Sequence, residues 1–306
     1  MQDLVSIIMP ACNAAPYIGE AIESVIAQSW QNWELIITDD GSVDGTAAVV
    51  EQFMATEPRI QMIRQQNGRQ GKARNAAMPL ARGEFVAFLD ADDWWLTRKL
   101  ELQLNQMNAT GADLIFTEAE VWENGVSKGL LGSYHGWLEG ESGLEQMLPY
   151  NRIPTLTVLA RKEAINAVGN FTELVNVQNA EDYHLWLKLL LNGKCLLGLN
   201  NTLACYRRHP ANATAGDDNA FWPSCEALLE LIKSYPRQAI LLTPTLQNRL
   251  NRRLCTRPFP DKEGEQEVYR MHFECKKQPI PLLIRLALQN SFSPTLAKKI
   301  FFKLYA

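Results

Sequence analysis

Short apolar runs alternate with segments of helical periodicity over the first 110 residues, and no other feature of the sequence restricts the possible folds as strongly. Four runs are predicted to be strands, at residues 5–9, 34–38, 60–64 and 85–89. Apolar residues recur at helical spacing between them, at positions 18, 22, 25 and 26 and again at 49, 50, 53 and 54. Because strands that alternate with helices build a parallel sheet covered by helices, an α/β fold is predicted.

Bulk properties limit the class of function. The formal net charge is −4 for 306 residues, so the chain lacks the positive field with which proteins bind nucleic acid, and nucleic acid is not an expected partner. The six cysteines form no CxxC pair, and we expect reduced thiols. Residues 1–10 lack the pattern of a secretory signal, and no apolar run reaches the roughly 20 residues of a spanning helix. A cytoplasmic or peripheral membrane protein is expected.

Polar residues directly follow three of the predicted strands. Residues 10–13 read Pro-Ala-Cys-Asn, residues 39–46 begin with Asp39 and Asp40, and residues 90–93 read Asp-Ala-Asp-Asp. Open α/β sheets bind their ligands beyond the carboxyl ends of the strands. We therefore expect all three segments to meet at one edge of the sheet and to form a ligand site there.

The acidic cluster of Asp90, Asp92 and Asp93 predicts a cation site. Two carboxylates about 4 Å apart repel each other by ~4 kcal/mol at an effective dielectric constant of about 20, so a cation usually lies between them. Oxygen ligands favour Mg²⁺ or Mn²⁺, and these ions also bind substrate phosphates. In the alternative interpretation, Asp92 or Asp93 caps a helix that begins near Thr97. The neighbouring acidic loop favours a cation that binds a nucleotide diphosphate.

Two further segments of this edge suit a nucleotide. Asp39 and Asp40 are typical of a turn and a helix cap, but one acid exceeds what the cap needs, and a carboxylate accepts the imide N–H of uracil or thymine. Residues 71–75, which include Lys72 and Arg74, are predicted at a helix start, where backbone donors and the helix dipole favour phosphate. The alternative for this segment is a solvated basic turn.

Two residues of the second half are candidates for chemistry. Asp182 shares the inward face of a helix predicted over residues 179–191 with apolar residues at 185, 186, 189 and 190. A buried carboxylate needs a partner or a catalytic use, such as that of a general base, although a first-turn acid is also stabilised by the helix dipole. His209 follows two arginines at the end of a late strand. A lone histidine is usually structural, but these cations suit a departing diphosphate.

The second half has a looser pattern. Strands are predicted over residues 113–121, 155–160 and 203–206, with a glycine-rich loop and a short helix over 134–150. We expect residues 111–215 to hold an acceptor and residues 216–306 to form a helical extension. Residues 276–306 carry six basic residues and no acid among apolar ones, which is typical of a tail that lies on an anionic bilayer. The alternative is a helix packed on the catalytic domain.

Together these segments resemble the family 2 glycosyltransferases. The resemblance rests on VSIIMPACN at 5–13, SVIAQS at 24–29, DDGSVDGT at 39–46, GKARN at 71–75, GEFVAFLDADD at 83–93 and Glu181-Asp182, and it covers residues 1 to about 215. It implies a GT-A fold, with a mixed central sheet flanked by helices. Residues 1–110 would form the nucleotide-binding half of this domain, residues 111–215 its acceptor-binding half, and residues 216–306 the helical extension.

The resemblance also implies the roles of individual residues. With the acidic loops, it predicts a donor site formed by Pro10, Ala11, Asn13, Asp39, Asp40, Lys72, Arg74, Asp90, Ala91 and Asp92. A divalent cation, Mn²⁺ or Mg²⁺, is expected at Asp90, Asp92 and His209. Asp182 would be the catalytic base. Cys12 stands where the family often has tyrosine, which alters a contact beside the base of the nucleotide.

The predicted activity is the inverting transfer of one sugar from a nucleotide-diphosphate sugar. We expect a UDP-sugar as donor and, as acceptor, a hydroxyl of a glycan or of a polyprenyl-diphosphate-linked saccharide in surface polysaccharide synthesis. Single additions are expected because the Gln-x-x-Arg-Trp segment of processive members is not found. A sugar nucleotidyltransferase normally carries a glycine-rich basic loop where this chain has residues 10–13. A non-catalytic assembly protein that binds nucleotide sugars is the remaining alternative.

Overall fold

The computed structural model describes residues 3–212, 218–256 and 270–271. The strands, β1 to β10, are Val5–Ala11, Trp33–Asp40, Ile60–Gln65, Phe85–Phe88, Trp94–Trp95, Leu114–Glu123, Val126–Leu130, Gly136–Leu138, Leu159–Arg161 and Leu196–Arg208. The helices, α1 to α9, are Ile18–Ile26, Thr46–Met54, Arg69–Ala77, Lys99–Thr110, Gly140–Met147, Lys162–Ala167, Glu181–Leu191, Asp218–Ser234 and Ala239–Thr256. Single 3-10 turns lie at Met78–Leu80, Thr155–Thr157 and Val175–Val177.

Within the described residues, the ten strands form one mixed sheet. Its order is β3-β2-β1-β4-β9-β6-β10-β5, with β7 added to β6 and β8 added to β10. The first four strands pair in parallel, as the βα alternation predicts, whereas β9 is antiparallel to both β4 and β6. Since β6 and β10 also pair in parallel, six strands end at the same edge: β1, β2, β3, β4, β6 and β10. The predicted mixed α/β sheet is confirmed.

The centre of the sheet is apolar because helices cover it. Every residue of β1 and β4 is buried, which accounts for their nearly uninterrupted apolar sequences. Helix α1 buries Ile18, Ile22 and Val25 on one face, at the spacing that predicted the helix. These residues belong to one core cluster that extends to Met107 on α4. The loops at the carboxyl edge therefore extend from strands that are packed in the core.

Several predicted boundaries in the second half are wrong. The strand predicted over residues 155–160 is a 3-10 turn, Thr155–Thr157, followed by the short strand β9. The strand predicted over residues 203–206 is the much longer β10, and the loop predicted over 134–150 contains the strand β8 as well as the helix α5. The structure of these segments depends on tertiary pairing, because β8, β9 and β10 each form hydrogen bonds with strands that are distant in the sequence.

The chain divides into two compact units, residues 1–223 and 224–306. The domain boundary predicted after residue 215 stays a prediction. In the described part of the second unit the backbone is helical, and Arg270 pairs with Glu226. Residues 276–306, for which we predict membrane contact, lie outside the described residues. Among the helices of the described part, none is long and apolar enough to cross a membrane.

Candidate active site

Hydrogen bonds join the loops after β1 and β2 at the carboxyl edge of the sheet. The backbone N–H of Asn13 donates to Ser42 Oγ at 3.0 Å, and the N–H of Val43 donates to Asn13 Oδ1 at 2.9 Å. Asn13 adopts the left-handed conformation, with φ of 50°, which asparagine tolerates better than most residues. Pro10 and Ala11 are buried in β1 beneath this loop. The residues after β1 that are predicted to contact the nucleoside therefore lie beside the acidic loop after β2.

Asp39 and Asp40 are both buried, and both organise the backbone around them. Asp39 accepts from the N–H of Ser42 at 2.9 Å and from Arg64 Nε at 3.0 Å. Asp40 accepts from the N–H groups of Gly68 and Arg69, each at 2.8 Å. Asp40 thus satisfies the first backbone donors of α3 from a strand, as a helix-capping carboxylate does. Its predicted contact with the base stays a prediction.

Helix α3 begins at Arg69, so the segment predicted at a helix start, residues 71–75, lies within its first two turns. The backbone N–H groups just before this segment, those of Gly68 and Arg69, already donate to Asp40. Lys72 is exposed, whereas the Arg74 side chain is only 3% exposed. The alternative of a solvated basic turn is therefore wrong for Arg74. The phosphate role of both cations stays a prediction.

The Arg74 guanidinium joins two carboxylates that are far apart in the sequence. Its Nη2 is 2.7 Å from Asp90 Oδ1, and its Nη1 is 2.8 Å from Glu181 Oε1. The two carboxylates raise the pKa of Arg74 against the opposing effect of its complete burial. A buried charge of this kind is stable only with such partners, so the ion pairs account for a cation inside the domain.

Replacing Arg74 with methionine is expected to lower the free energy of unfolding by about 3 kcal/mol, because Glu181 would keep a buried charge without its partner. The effect falls at the low end of its range because the Asp90 side chain is 31% exposed. Denaturant unfolding measures it. The control is Arg98→Met, since Arg98 is 63% exposed and its ion pair with Glu101 contributes little. Equal stabilities for the two variants would contradict the importance of this ion pair.

Asp92 and Asp93 do not cap the next helix. Helix α4 begins at Lys99, later than the predicted start near residue 97, and the short strand β5 separates it from the acids. Asp93 instead accepts from the N–H of Arg207 at 2.7 Å. Burial raises the pKa of Asp93 well above its ordinary value, and the charges of Asp92 and Asp90 raise it further. The helix-cap alternative for the acidic cluster is therefore wrong.

His209 contacts Asp92. Its Nε2 lies 3.0 Å from Asp92 Oδ2, and its ring stacks on Tyr17 with 4.7 Å between centroids. Asn212 supports the same pair, because its Nδ2 lies 3.3 Å from Asp92 Oδ2 and its Oδ1 accepts from the N–H of His209. Two members of the predicted cation site, 117 residues apart in the sequence, are thus neighbours in the structure.

The donor set at this point suits a hard divalent cation. Burial raises the pKa of Asp92, and the nearby charge of Asp90 raises it further, which is the repulsion that a bound cation relieves. His209 adds an imidazole whose Nδ1 is buried without a hydrogen-bond partner in the part of the chain that the structure describes. Among those residues, no three His, Cys, Asp or Glu side chains are gathered as a preformed metal site. Other oxygen ligands, such as phosphate, would have to complete it.

Asp182 lies in the first turn of α7, next to Glu181. Its Oδ2 accepts from Thr155 Oγ1 at 2.8 Å and from Asn151 Nδ2 at 2.9 Å. Burial raises the pKa of Asp182 to about 6, and the charge of Glu181 also raises it, against the opposing effects of Thr155 and Arg74. A carboxylate with this pKa is ionised at neutral pH and still accepts a proton readily, as a general base must.

Sequence patterns do not reveal the residues that hold the acidic loop in place. The Arg207 side chain donates through Nε to the carbonyl of Asp92 at 2.8 Å and pairs with Glu20 of α1. Its guanidinium also lies over Trp94, 4.5 Å from the ring centroid. The sequence suggests the arginines before His209 only as cations for a diphosphate. The one signal for this structural role is the position of Arg207 two residues before His209.

Comparisons with known proteins agree with this fold and these motifs. The family model described as glycosyl transferase family 2 matches residues 6–157. The putative teichuronic acid biosynthesis glycosyltransferase TuaG of Bacillus subtilis is 34% identical over 206 residues, which are 67% of this chain and 79% of that protein. A glucosyltransferase of Escherichia coli, WfgD, is 34% identical over 195 residues, which are 61% of this chain and 70% of that protein.

A solved structure shows the same architecture. Staphylococcus aureus TarS, residues 1–349 in complex with UDP-GlcNAc, superposes with a TM-score of 0.69 at 20% identity and covers 87% of this chain and 79% of that one. The fold is that of a GT-A glycosyltransferase, as predicted. The chain belongs to the family 2 glycosyltransferases. This membership confirms an enzyme and sets aside both the nucleotidyltransferase and the non-catalytic alternative.

Proposed function

We propose that this chain transfers one sugar, with inversion at the anomeric carbon, from a UDP-sugar to a hydroxyl of a lipid-linked saccharide. The observation that carries the proposal is the position of Arg74, which bonds to Asp90 of the acidic loop and to Glu181, the neighbour of Asp182. A single buried side chain thereby joins the predicted donor site and the predicted base. Because Arg74 contacts both segments, Asp90 and Asp182 lie at one edge of the sheet, where transfer from a diphosphate to a hydroxyl needs them.

The donor would lie along the loops after β1, β2 and β4. The nucleoside would contact the first two loops at Pro10, Ala11, Asn13, Asp39 and Asp40, and the diphosphate would face Lys72, Arg74, Asp90, Ala91 and Asp92. A UDP-sugar is favoured because the full name of WfgD gives UDP-Glc as its donor and the TarS structure contains UDP-GlcNAc.

Asp90, Asp92 and His209 would hold Mn²⁺ or Mg²⁺. A bound divalent cation supplies neutralisation of the charge that develops on the leaving diphosphate oxygen. The protein's own part is to keep Asp92 in place, through His209 and Asn212 on its side chain and through Arg207 on its carbonyl.

Asp182 would remove the proton from the accepting hydroxyl. Its Oδ2 is oriented by Thr155 and Asn151, so the carboxylate is fixed before the acceptor arrives. Attack from the face opposite the diphosphate inverts the anomeric carbon, and no covalent sugar intermediate is needed. The raised pKa of this base follows from burial, because desolvation disfavours the ionised form of Asp182.

We place the acceptor on a lipid and the enzyme in the cytoplasm, where residues 276–306 would contact the inner face of the membrane. The names of two relatives support the acceptor: TuaG is named for teichuronic acid biosynthesis, and WfgD for GlcNAc-diphosphoundecaprenol as its acceptor. We propose that this chain adds single sugars in the synthesis of a bacterial surface polysaccharide.

A transfer assay with defined products tests this function. The full chain is incubated with a panel of UDP-sugars, with and without Mn²⁺, and with a saccharide linked through diphosphate to a lipid. We expect one sugar to be added only when the cation is present, and the anomeric coupling in the NMR spectrum of the product to show inversion. Retention of configuration, or repeated addition of sugars, would refute the proposed mechanism.

The Thr155→Val variant tests the orientation of the base. The Thr155 hydroxyl stabilises the ionised form of Asp182, so its loss is expected to raise the pKa of Asp182 by about 1 unit above the value of about 6. Since the base acts only when deprotonated, the midpoint of the acid limb of kcat/KM should move to higher pH by the same amount. Thr155→Ser keeps the hydroxyl and serves as control. A profile that shifts equally in both variants would contradict the role of this hydrogen bond.

A further inference from the structure

A cavity borders the predicted cation site. It has a volume of about 290 Å³ and is lined by Glu123, Asn124, Arg208, His209 and Pro210. Arg208 and Glu123 are opposite each other in the parallel pair β6 and β10, at the carboxyl ends of both strands. The cavity therefore opens at the same edge of the sheet as the donor loops. It includes neither Asp90 nor Asp92.

Arg208 is the cation of this cavity, and its situation differs from that of Arg207. The Arg207 side chain is held by Asp92, Glu20 and Trp94. The Arg208 side chain is exposed, and among the described residues it makes no hydrogen bond or ion pair. An arginine in this state presents its full set of donors to a ligand, in the planar arrangement that binds phosphate oxygens in pairs.

The other polar groups of the cavity suit a saccharide. Glu123 lies 3.9 Å from Lys128, so its negative charge is partly balanced without Arg208. Asn124, in the turn between β6 and β7, adopts the left-handed conformation with φ of 51° and carries an amide that both donates and accepts. A carboxylate and an amide bind sugar hydroxyls, whereas the arginine binds an anion. The ligand class that uses all three is a saccharide with an attached phosphate.

We propose that this cavity binds the diphosphate and the adjoining sugar of the lipid-linked acceptor, with Arg208 on the phosphate oxygens. The proposal rests on the proposed function and adds the subsite that recognises the acceptor. His209 borders both sites, since it contacts Asp92 and lines the cavity. In an acceptor such as GlcNAc-diphosphoundecaprenol, which the name of WfgD gives, the accepting hydroxyl and the diphosphate belong to one sugar, so the diphosphate would bind within the span of one sugar ring from the reaction.

Two acceptors test the proposal: N-acetylglucosamine joined to an alkyl chain through a diphosphate, and the same sugar joined to the same chain directly. Arg208→Gln is expected to lower the ratio of kcat/KM between the diphosphate acceptor and the neutral acceptor about tenfold, the usual effect of losing a charge-assisted contact. Arg208→Lys should keep part of this ratio. Arg98→Gln, which removes another exposed arginine, should keep all of it.

An unchanged ratio in Arg208→Gln would overturn the proposal, and so would a rise in the KM for the UDP-sugar of the same size, because Arg208 would then serve the donor. If the wild-type protein used neither acceptor, that result would refute the proposed function but not yet the role of Arg208. The affinity of wild-type protein and of Arg208→Gln for the diphosphate compound, measured by isothermal titration calorimetry, then decides the inference. About tenfold weaker binding by the variant supports it, and equal binding refutes it.

Discussion

Replacing Asp182 with asparagine is expected to lower kcat by about two to four decades, the range that loss of a general base usually costs. The substitution keeps the shape of the side chain, and the amide oxygen of asparagine can still accept from Thr155 and Asn151, so only the bond from the N–H of Tyr183 loses its acceptor and the fold should persist. It removes the carboxylate and, with it, the ability to accept a proton. UDP affinity, measured by calorimetry, should stay close to that of the wild-type protein.

The pH dependence provides an independent test of the same residue. Because the pKa of Asp182 is about 6, wild-type kcat/KM should fall as the pH drops through this value and the base becomes protonated. The residual activity of Asp182→Asn should lack this limb. Glu84→Gln, which removes an exposed carboxylate paired with Arg161, is the matched control and should keep it. Wild-type turnover in Asp182→Asn would eliminate the assignment of the base.

Replacing Asp92 with asparagine is expected to reduce kcat/KM by about two to three decades, because several kcal/mol of charge stabilisation depend on the cation. It should also raise the Mn²⁺ concentration needed for half-maximal activity. His209 and Asn212 both contact Asp92 Oδ2, and asparagine at this position would lack the negative charge that binds the cation.

Wild-type protein stripped of metal by a chelator is the control for Asp92→Asn. Without metal, the two proteins should show similar residual activity. Added Mn²⁺ should restore the stripped wild-type protein fully and the variant only in part. If Asp92→Asn kept the wild-type dependence on Mn²⁺, Asp92 would not be a ligand, and the cation site would have to be sought elsewhere.

The local pattern of apolar and polar residues is enough to predict part of the site. Apolar runs of five residues predict the strands, and residues that follow parallel strands meet at one edge of the sheet. The sequence alone therefore predicts that Asp39, Asp40, Asp90 and Asp92 lie at that edge. The apolar runs of β1 and β4 are clear in the sequence because every residue of these two strands is buried.

The contacts that complete the site cannot be predicted in the same way. Arg74 and Glu181 are 107 residues apart, and nothing in either segment indicates that a buried ion pair joins them. The predicted strand over 155–160 is another example, because the 3-10 turn that replaces it directs Thr155 to Asp182. Such contacts depend on how distant elements pack, and local propensity carries no information about that packing.

The claim on which the proposed mechanism depends is that the acidic loop binds a divalent cation together with the donor diphosphate. A crystal structure with UDP and Mn²⁺, with data collected at the manganese absorption edge, tests it directly. We expect one anomalous peak within coordination distance of Asp92 and of a diphosphate oxygen. A peak remote from Asp92, or bound UDP without any peak, would contradict this mechanism.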